Sequence, residues 1–223
     1  MNRNIRTGRL AGMALLAAAL VLGSFLIYWN ASVKNGVSES SPPSFREGDI
    51  IFQVTISPQS EALQFATGSK YTHCGILLEH NKKMHVFEAI RTVSWTPLEE
   101  WIARGVDEHY VLMRIKDPAL RPDAATLAAM KKAGLPMAGK PYDLLFQWSD
   151  DKIYCSELVW KIYERGAGIV LSEPHTFREY HLDNPLVRAI IEERYGHGIN
   201  LDERAVAPSD LMESELLETV GGN

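Results

Sequence analysis

The sequence predicts an α+β fold in which an antiparallel sheet packs against helices. Two apolar segments, 72–78 and 85–90, are joined by a short polar connection at 79–83, and this pattern is typical of an antiparallel hairpin. Segments with helical start and stop signals lie outside these strands. A sheet of antiparallel strands with helices outside it belongs to the α+β class.

The other elements follow from local signals along the chain. A glycine ends one predicted helix, and Thr96-Pro97-Leu98-Glu99 has the pattern of a capping box with proline at the first helical position. In chain order, these predicted elements are a strand at 50–54, helices at 58–68 and 97–104, a strand at 109–115, a helix at 122–133, a helix from Cys155 to about Arg165, a helix at 185–195 and a last helix starting at Pro208.

An uncharged stretch at 10–29 precedes the domain. Its 20 residues, at ~1.5 Å rise each, span roughly the 30 Å hydrocarbon core of a membrane. A cleaved signal peptide is the alternative, but the stretch exceeds the usual ~7–15 apolar residues of such a peptide. We therefore expect a signal anchor or transmembrane helix within 1–29.

Positive charges around this stretch predict its orientation. Arg3, Arg6 and Arg9 precede it, whereas only Lys34 closely follows it. Because positive residues stay in the cytoplasm, we expect a single-pass protein of the bacterial inner membrane, held by residues 10–29, with its domain in the periplasm or outside. If the segment is cleaved, the protein is secreted.

The remaining chain divides into a linker and one domain. Serine and proline dominate 30–44, which is linker composition, so the folded domain is predicted at 45–223. The net charge of −5 gives no basic footprint for nucleic acid. Cys74 and Cys155 are the two cysteines, and no CxxC or HExxH spacing occurs. We therefore expect no nucleic-acid partner, no metal and no cofactor.

Cys155 is the candidate nucleophile because it opens a helix. Its spacing from Leu158, Val159 and Ile162 places it on the buried face. The positive end of a helix and a nearby imidazolium lower the pKa of a cysteine, and the helix amides bind an oxyanion. Taken alone, this cysteine fits a buried structural role better than a catalytic one.

A base and an orienting acid are found on the two hairpin strands. His73 lies within an apolar strand, where it serves either as a base or as a hydrogen-bonded core histidine. Glu88 lies on the next strand, from which it reaches the imidazole if the strands pair; otherwise it is solvated on an open face. The other histidines, including His80 in the predicted turn, are expected at the surface.

Several motifs together resemble the permuted NlpC-type papain-like cysteine hydrolases, specifically the YiiX-like group. In the unpermuted relatives the cysteine helix precedes the histidine strand, whereas here His73 comes 82 positions before Cys155 (155 minus 73). The matching stretches are Gly48-Asp49-Ile50-Ile51-Phe52, Tyr71-Thr72-His73-Cys74-Gly75-Ile76, Val86-Phe87-Glu88-Ala89, Gly139-Lys140-Pro141-Tyr142-Asp143 and Tyr154-Cys155-Ser156-Glu157-Leu158-Val159-Trp160.

The resemblance implies a papain-like core with Cys155 as nucleophile, His73 as base and Glu88 as orienting acid. It also implies a substrate or oxyanion role for Tyr142, in its Gly-x-Pro-Tyr pattern, and for Tyr154 beside the nucleophile; packing is the alternative for Tyr142.

Cys74 is expected to point away from the thiol. Successive residues of a strand face opposite sides of the sheet, so a His73 that faces Cys155 would turn Cys74 to the other side, beyond disulfide reach.

Three functions remain open. The leading hypothesis is hydrolysis of an amide bond through an acyl-enzyme, in cell-envelope material such as a peptidoglycan peptide, and it predicts a short polar cleft. The second is a lipid acyl hydrolase or acyltransferase, which predicts a long apolar groove leading to Cys155. The third is a non-catalytic binding module, in which the thiol is not activated.

Overall fold

The computed structural model describes residues 44–196 and 198–223. The strands in this part of the chain are β1 (Ile50–Gln53), β2 (His73–His80), β3 (Lys83–Ala89), β4 (Val93–Pro97), β5 (Tyr110–Ile115), β6 (His175–Thr176), β7 (Arg204–Ala205) and β8 (Leu217–Gly222). The helices are α1 (Pro58–Thr67), α2 (Leu98–Arg104), α3 (Ala124–Gly134), α4 (Cys155–Ala167), α5 (Pro185–Tyr195) and α6 (Pro208–Met212).

Six strands form one sheet in the order β4-β3-β2-β1-β5-β8, and every neighbouring pair is antiparallel. Strands β6 and β7 form a separate two-stranded ribbon. The predicted antiparallel sheet with helices outside it is therefore confirmed.

The sheet separates two apolar clusters. On one face, α4 packs against β2, β3 and α3, and this larger cluster contains Cys74, Leu158 and Cys155. On the other face, Trp101 of α2 packs with Leu77 and other apolar side chains. The two faces follow from the alternation of side chains along each strand.

The hairpin turn between β2 and β3 is shorter than the predicted 79–83 connection. Only Asn81 and Lys82 lie between the strands, and both have positive φ, 52° and 61°. Two such residues form the tight turn whose twist matches paired strands. His80 is therefore a strand residue, not a turn residue, and its ring stacks on Trp95 with 4.6 Å between centroids.

The predicted capping box at 96–99 does not form. Thr96 and Pro97 end strand β4, Pro97 occupies the position before the helix, and no side chain caps α2. The Thr96 hydroxyl instead donates to Glu88 Oε1 at 2.6 Å. The local pattern correctly indicated that a helix begins here. The Thr96 side chain does not cap this helix, because it bonds to the buried carboxylate of Glu88 instead.

Most remaining predicted elements agree with the structure within two residues. Helix α1 ends at Gly68, which has φ 68°, and α5 has the predicted bounds. Helix α4 runs two residues beyond its predicted end, and α6 starts at Pro208. Strands β4, β6, β7 and β8 were not predicted.

The predicted segment at 1–29 and the linker up to residue 43 lie outside the described residues. None of the helices that the structure does describe is long and apolar enough to cross a membrane.

Candidate active site

Cys155 is the first residue of α4. Its neighbour Tyr154 has extended backbone, φ −101° and ψ 168°, and the Tyr154 amide donates to Glu157 Oε2 at 3.3 Å. The amides of the first helical turn have no partner within the helix, so the N-terminus of α4 presents N–H groups next to the thiol. Cys155 itself is buried.

The side chains of His73 and Glu88 meet on one face of the sheet. Helix α4 covers the other face. Strands β2 and β3 pair with Ile76 opposite Phe87, which brings the two side chains together. His73 Nε2 donates to Glu88 Oε2 at 2.5 Å. This hydrogen bond fixes the tautomer, because Nε2 carries the proton and leaves Nδ1 available to the thiol.

Glu88 is fully buried and accepts from three further side chains. Trp101 Nε1 donates at 2.9 Å, Thr96 Oγ1 at 2.6 Å, and the Arg104 guanidinium at 2.6 and 2.7 Å. Burial raises the pKa of Glu88, but the bond from His73 and those from Arg104 and Thr96 outweigh it and lower the pKa to about 2. The carboxylate therefore stays ionised at neutral pH.

The thiol and the imidazole shift each other's pKa in opposite directions. Burial lowers the pKa of His73, but hydrogen bonding with Cys155 and Glu88 outweighs it and raises the pKa to about 9. Hydrogen bonding from Cys74 is the largest effect on Cys155; His73 adds to it, and together they lower the Cys155 pKa well below its ordinary value despite burial. Both shifts favour a thiolate on Cys155 and an imidazolium on His73.

Cys74 lies on the same face as Cys155, not on the opposite one. Both residues belong to the buried cluster under α4, and hydrogen bonding from Cys74 is the largest influence that lowers the pKa of Cys155. Side chains still alternate between the two faces along β2, since His73 stacks on Trp101 on the face opposite to Cys74. His73 is the first residue of β2, and hydrogen bonding with Cys155 raises its pKa, which indicates that its ring lies near the thiol. Both cysteines are free thiols.

Tyr142 lies beside the nucleophile. Its amide donates to Arg91 O at 2.9 Å, which fixes the backbone of this loop against the turn after β3. Gln59 Nε2 of α1 donates to the Tyr142 hydroxyl at 3.2 Å. Burial raises the pKa of Tyr142, and the negative charge of Cys155 raises it further, so the hydroxyl keeps its proton. The structure thus brings Tyr142 to the site, where it lines the same cavity as Cys155.

Tyr154 is placed differently. Its hydroxyl accepts the Val206 amide at 3.1 Å, and its ring packs on Phe146 with 5.3 Å between centroids. Burial raises the pKa of its hydroxyl well above the ordinary value. Tyr154 holds the chain before α6 against α4, and it also lines the cavity described next.

An open cavity leads to Cys155. It occupies about 820 Å³, counting the space at its mouth. Two helices contribute apolar side chains to its wall: Ala62, Leu63 and Ala66 from α1, and Val187, Ile190 and Ile191 from α5. The cavity is thus an apolar groove, the feature expected of an acyl-binding enzyme.

Sequence reasoning missed four polar residues of this region. Trp101, Arg104 and Thr96 hold Glu88, and Gln59 contacts Tyr142. Each lies on an element that is separate from its partner in sequence. Only the strand pairing of β3 with β4 and the packing of α2 over β3 bring them together.

The fold and the order of the site residues define the class, a permuted papain-like cysteine hydrolase. The model of one family, described as permuted papain-like amidase enzyme, YaeF/YiiX, C92 family, matches residues 44–221. The chain belongs to this family and is a cysteine peptidase or amidase-like hydrolase.

Two relatives support this assignment. The uncharacterized protein YiiX of Escherichia coli strain K12 is 43% identical over 184 residues, which cover 81% of this chain and 90% of the relative. A crystal structure described as metalloprotein yiiX from Escherichia coli O157:H7 is 42% identical, with a TM-score of 0.76, and the match covers 80% of this chain and 97% of that one.

The residues of the site do not fit a metal ion. Among the residues that the structure describes, no group of three or more His, Cys, Asp or Glu side chains is arranged to hold one. Both oxygens of Glu88 accept hydrogen bonds from Arg104, and His73 Nε2 already donates to Glu88. A metal ion at these atoms would have to displace the guanidinium.

Proposed function

We propose that the chain cleaves an amide bond through an acyl-enzyme on Cys155, with His73 as proton carrier and Glu88 as its orienting acid. The observation that carries this proposal is the buried 2.5 Å bond between His73 Nε2 and Glu88, together with a Cys155 whose pKa His73 helps to lower well below its ordinary value. A structural histidine needs a hydrogen-bond partner, but it does not need an ionised cysteine beside it.

In the first half of the reaction, the Cys155 thiolate attacks the amide carbonyl carbon and a C–S bond forms. The imidazolium of His73 gives its Nδ1 proton to the leaving nitrogen as the C–N bond breaks. The amine departs and leaves a thioester. In the second half, neutral His73 takes a proton from water, whose oxygen attacks the thioester carbon, and the carboxylic acid leaves as the thiolate returns.

The negative charge that develops on the carbonyl oxygen during the reaction needs hydrogen-bond donors to stabilise it. The Cys155 amide at the N-terminus of α4 supplies one, together with the positive end of the helix. The Tyr142 hydroxyl, which keeps its proton and lies beside the sulfur, supplies a second. In this proposal Tyr154 contributes to the wall of the cavity and takes no part in proton transfer.

The cavity favours a substrate with an apolar acyl group. Burial of each methylene contributes about 0.8 kcal/mol, so a wall of alanine, leucine, valine and isoleucine selects for hydrocarbon. A polar envelope peptide would leave its own amides unpaired against these side chains. The acyl-lipid alternative is therefore the substrate class that we favour, and it is compatible with an envelope location next to a membrane.

Thiol labelling tests whether the site is active. Iodoacetamide at pH 6 should label Cys155 within minutes, because the thiolate is already formed. Peptide mapping provides an internal control in buried Cys74, which should stay unlabelled. Labelling of Cys155 should slow strongly in His73→Ala. Equal, slow labelling in wild type and His73→Ala would favour a non-catalytic binding module.

A substrate series tests the bond and the acyl group. We expect the full chain to release amine from N-dodecanoyl amides faster than from N-acetyl amides or from muropeptides, and Cys155→Ala to release none. A preference for muropeptides would support the envelope-peptide hypothesis instead. Release of amine with transfer of the acyl group to an added alcohol would identify an acyltransferase.

A further inference from the structure

Arg194 introduces a positive charge into the apolar cavity. Of the cavity-lining residues that the structure describes, it is the one with a positively charged side chain, and no Asp or Glu is among them. It lies near the end of α5, one turn beyond Ile190 and Ile191. Arg194 is half-buried at the wall of the cavity.

The contacts of Arg194 are with neutral acceptors. NH1 donates to Leu144 O at 3.0 Å, and NH2 donates to Gln59 Oε1 at 2.8 Å. Within the described part of the chain, no carboxylate lies within 4.0 Å of its guanidinium, although Arg188 on the same helix pairs with Asp183 at 2.6 Å. A guanidinium has five N–H donors, so Arg194 keeps donors for a ligand.

The guanidinium is also close to the nucleophile. Gln59 accepts from Arg194 through Oε1 and donates to the Tyr142 hydroxyl through Nε2 at 3.2 Å. Tyr142 in turn lies beside the Cys155 sulfur. Only two side chains, Gln59 and Tyr142, therefore separate the positive charge from the reacting sulfur.

We propose that Arg194 binds an anionic group of the substrate, a carboxylate or a phosphate carried by the amine part near the scissile bond. This proposal rests on the proposed amidase function and narrows it to N-acylated amino acids or N-acylated amino phosphates. The apolar wall takes the acyl chain, and Arg194 takes the charge of the leaving group. The planar fork of a guanidinium matches both kinds of oxyanion.

The placement argues against an anion at the far end of the acyl chain. Apart from Arg194, the lining residues that the structure describes offer no positive charge to an anion. An anion next to the amide nitrogen, by contrast, reaches Arg194 while the carbonyl reaches Cys155.

Three matched substrates test the proposal in the full chain: N-dodecanoylglycine, N-dodecanoyl-2-aminoethyl phosphate and neutral N-dodecanoylglycinamide. We expect kcat/KM for at least one anionic substrate to exceed that for the amide by about 10- to 100-fold, the range of one charge-assisted hydrogen bond. Arg194→Gln should remove most of this ratio, mainly through KM, whereas Arg194→Lys should keep part of it. The better anion identifies the leaving group.

Arg188→Gln is the control, since Arg188 lies on the same helix and outside the cavity wall. It should leave the ratio unchanged. A ratio near one in wild type, or a ratio that Arg194→Gln does not change, would overturn the proposal.

A binding measurement separates this proposal from the proposed function. Calorimetry with Cys155→Ala compares N-dodecanoylglycine, the phosphate and the glycinamide without turnover. Tighter binding of an anion that Arg194→Gln abolishes supports the anion site even if wild type hydrolyses none of the three. Equal affinity for all three ligands contradicts the anion site even if amide hydrolysis is observed. The melting temperature of Arg194→Gln, compared with that of wild type, shows that the variant is folded.

Discussion

Arg104 donates to Oε2 of Glu88 at 2.6 Å, and this oxygen also accepts the imidazole of His73. The guanidinium thus lies behind the carboxylate, on the far side from the thiol. Its positive charge keeps Glu88 ionised inside the protein, and the ionised Glu88 in turn stabilises the imidazolium. The charge state of the candidate nucleophile therefore depends on a residue of α2 that is remote from it.

Replacing Glu88 should move the alkaline limit of activity. Glu88 contributes to the raised pKa of His73, about 9, so wild-type kcat/KM should fall as pH rises through about 9 and the imidazolium is lost. Glu88→Gln keeps the shape of the side chain but removes its negative charge, so the alkaline fall in kcat/KM should shift to lower pH. At neutral pH we expect kcat/KM to fall roughly 10- to 100-fold, the range of a charge-assisted hydrogen bond. A pH profile of amide hydrolysis measures both effects.

Thr96→Val is the matched control for this change. It removes one hydrogen bond to Glu88 Oε1 and leaves the carboxylate charge and the bond from His73 in place. Its alkaline limb should stay near that of wild type. A Glu88→Gln profile that also stays near pH 9 would show that Glu88 does not hold the proton on His73.

Acid should destabilise the protein partly through Glu88. Its pKa is about 2 when folded and 4.5 ordinarily, so its stabilisation is complete above pH 4.5 and is lost as pH falls toward 2. The shift corresponds to roughly 3 kcal/mol of unfolding free energy as an upper figure. His73 affects stability at higher pH. Its raised pKa stabilises the folded protein fully below pH 6.5, and this contribution is lost as pH rises to about 9.

Urea unfolding at pH 6 and pH 3 measures the contribution of Glu88. Wild type should lose more unfolding free energy between these values than Glu88→Gln, because the amide does not titrate. An equal loss in both proteins would assign the acid sensitivity to other carboxylates.

The sequence predicted the residues of the site better than it predicted their surroundings. Cys155, His73 and Glu88 became candidates because several short motifs occur together in one order, whereas each residue alone also fits a structural role. The roles of Arg104 and Trp101 were not visible, because they depend on how α2 packs over β3. No local pattern encodes that packing.

The missed strands have a similar explanation. Strand β8 contains Gly221 and Gly222, which weaken the local strand signal, and it forms only by pairing with β5 about a hundred residues earlier. Strand β4 ends in Thr96 and Pro97, and the local sequence pattern at these two residues indicates the start of a helix. In both cases a partner distant in sequence decided the structure.

Gly75 should be required for the contact between His73 and Glu88. A Cβ at this position would lie 2.3 Å from Val86 Cγ1 and 3.3 Å from Glu88 Cβ, so β3 would have to move away from β2. Gly75→Ala should therefore lower stability by about 1–3 kcal/mol and reduce kcat/KM at least tenfold by separating the acid from the base. Urea unfolding and amide hydrolysis measure the two effects.

A second substitution tests the cause. Gly75→Ala combined with Val86→Ala removes the closest contact, so the double variant should recover activity relative to Gly75→Ala alone. Val86→Ala by itself controls for the cavity that it creates. If the double variant is no more active than Gly75→Ala, steric displacement of β3 is not the reason for the loss.

The buried pair of Glu157 and Lys161 should stabilise α4 in a way that depends on pH. Their charged groups lie 2.6 Å apart, and both side chains are almost fully buried. Burial raises the pKa of Glu157 to about 7, and Lys161 opposes this rise. For an acid with a raised pKa, the ionised form costs stability as pH rises from 4.5 through 7. Lys161→Met should therefore destabilise more at pH 8 than at pH 5, by about 3–5 kcal/mol at pH 8.

The double variant Glu157→Gln with Lys161→Met should be more stable at pH 8 than Lys161→Met alone, since it leaves no unpaired charge inside the protein. Urea unfolding of the two single variants and the double variant gives the coupling free energy at each pH. A cost of Lys161→Met that is the same at both pH values would mean that the contact of Lys161 with Asp150, 2.8 Å away, and its packing on Trp148 matter more than Glu157. Because Glu157 also accepts the Tyr154 amide at the start of α4, a strong coupling would show that the charge pair fixes the helix end from which Cys155 projects.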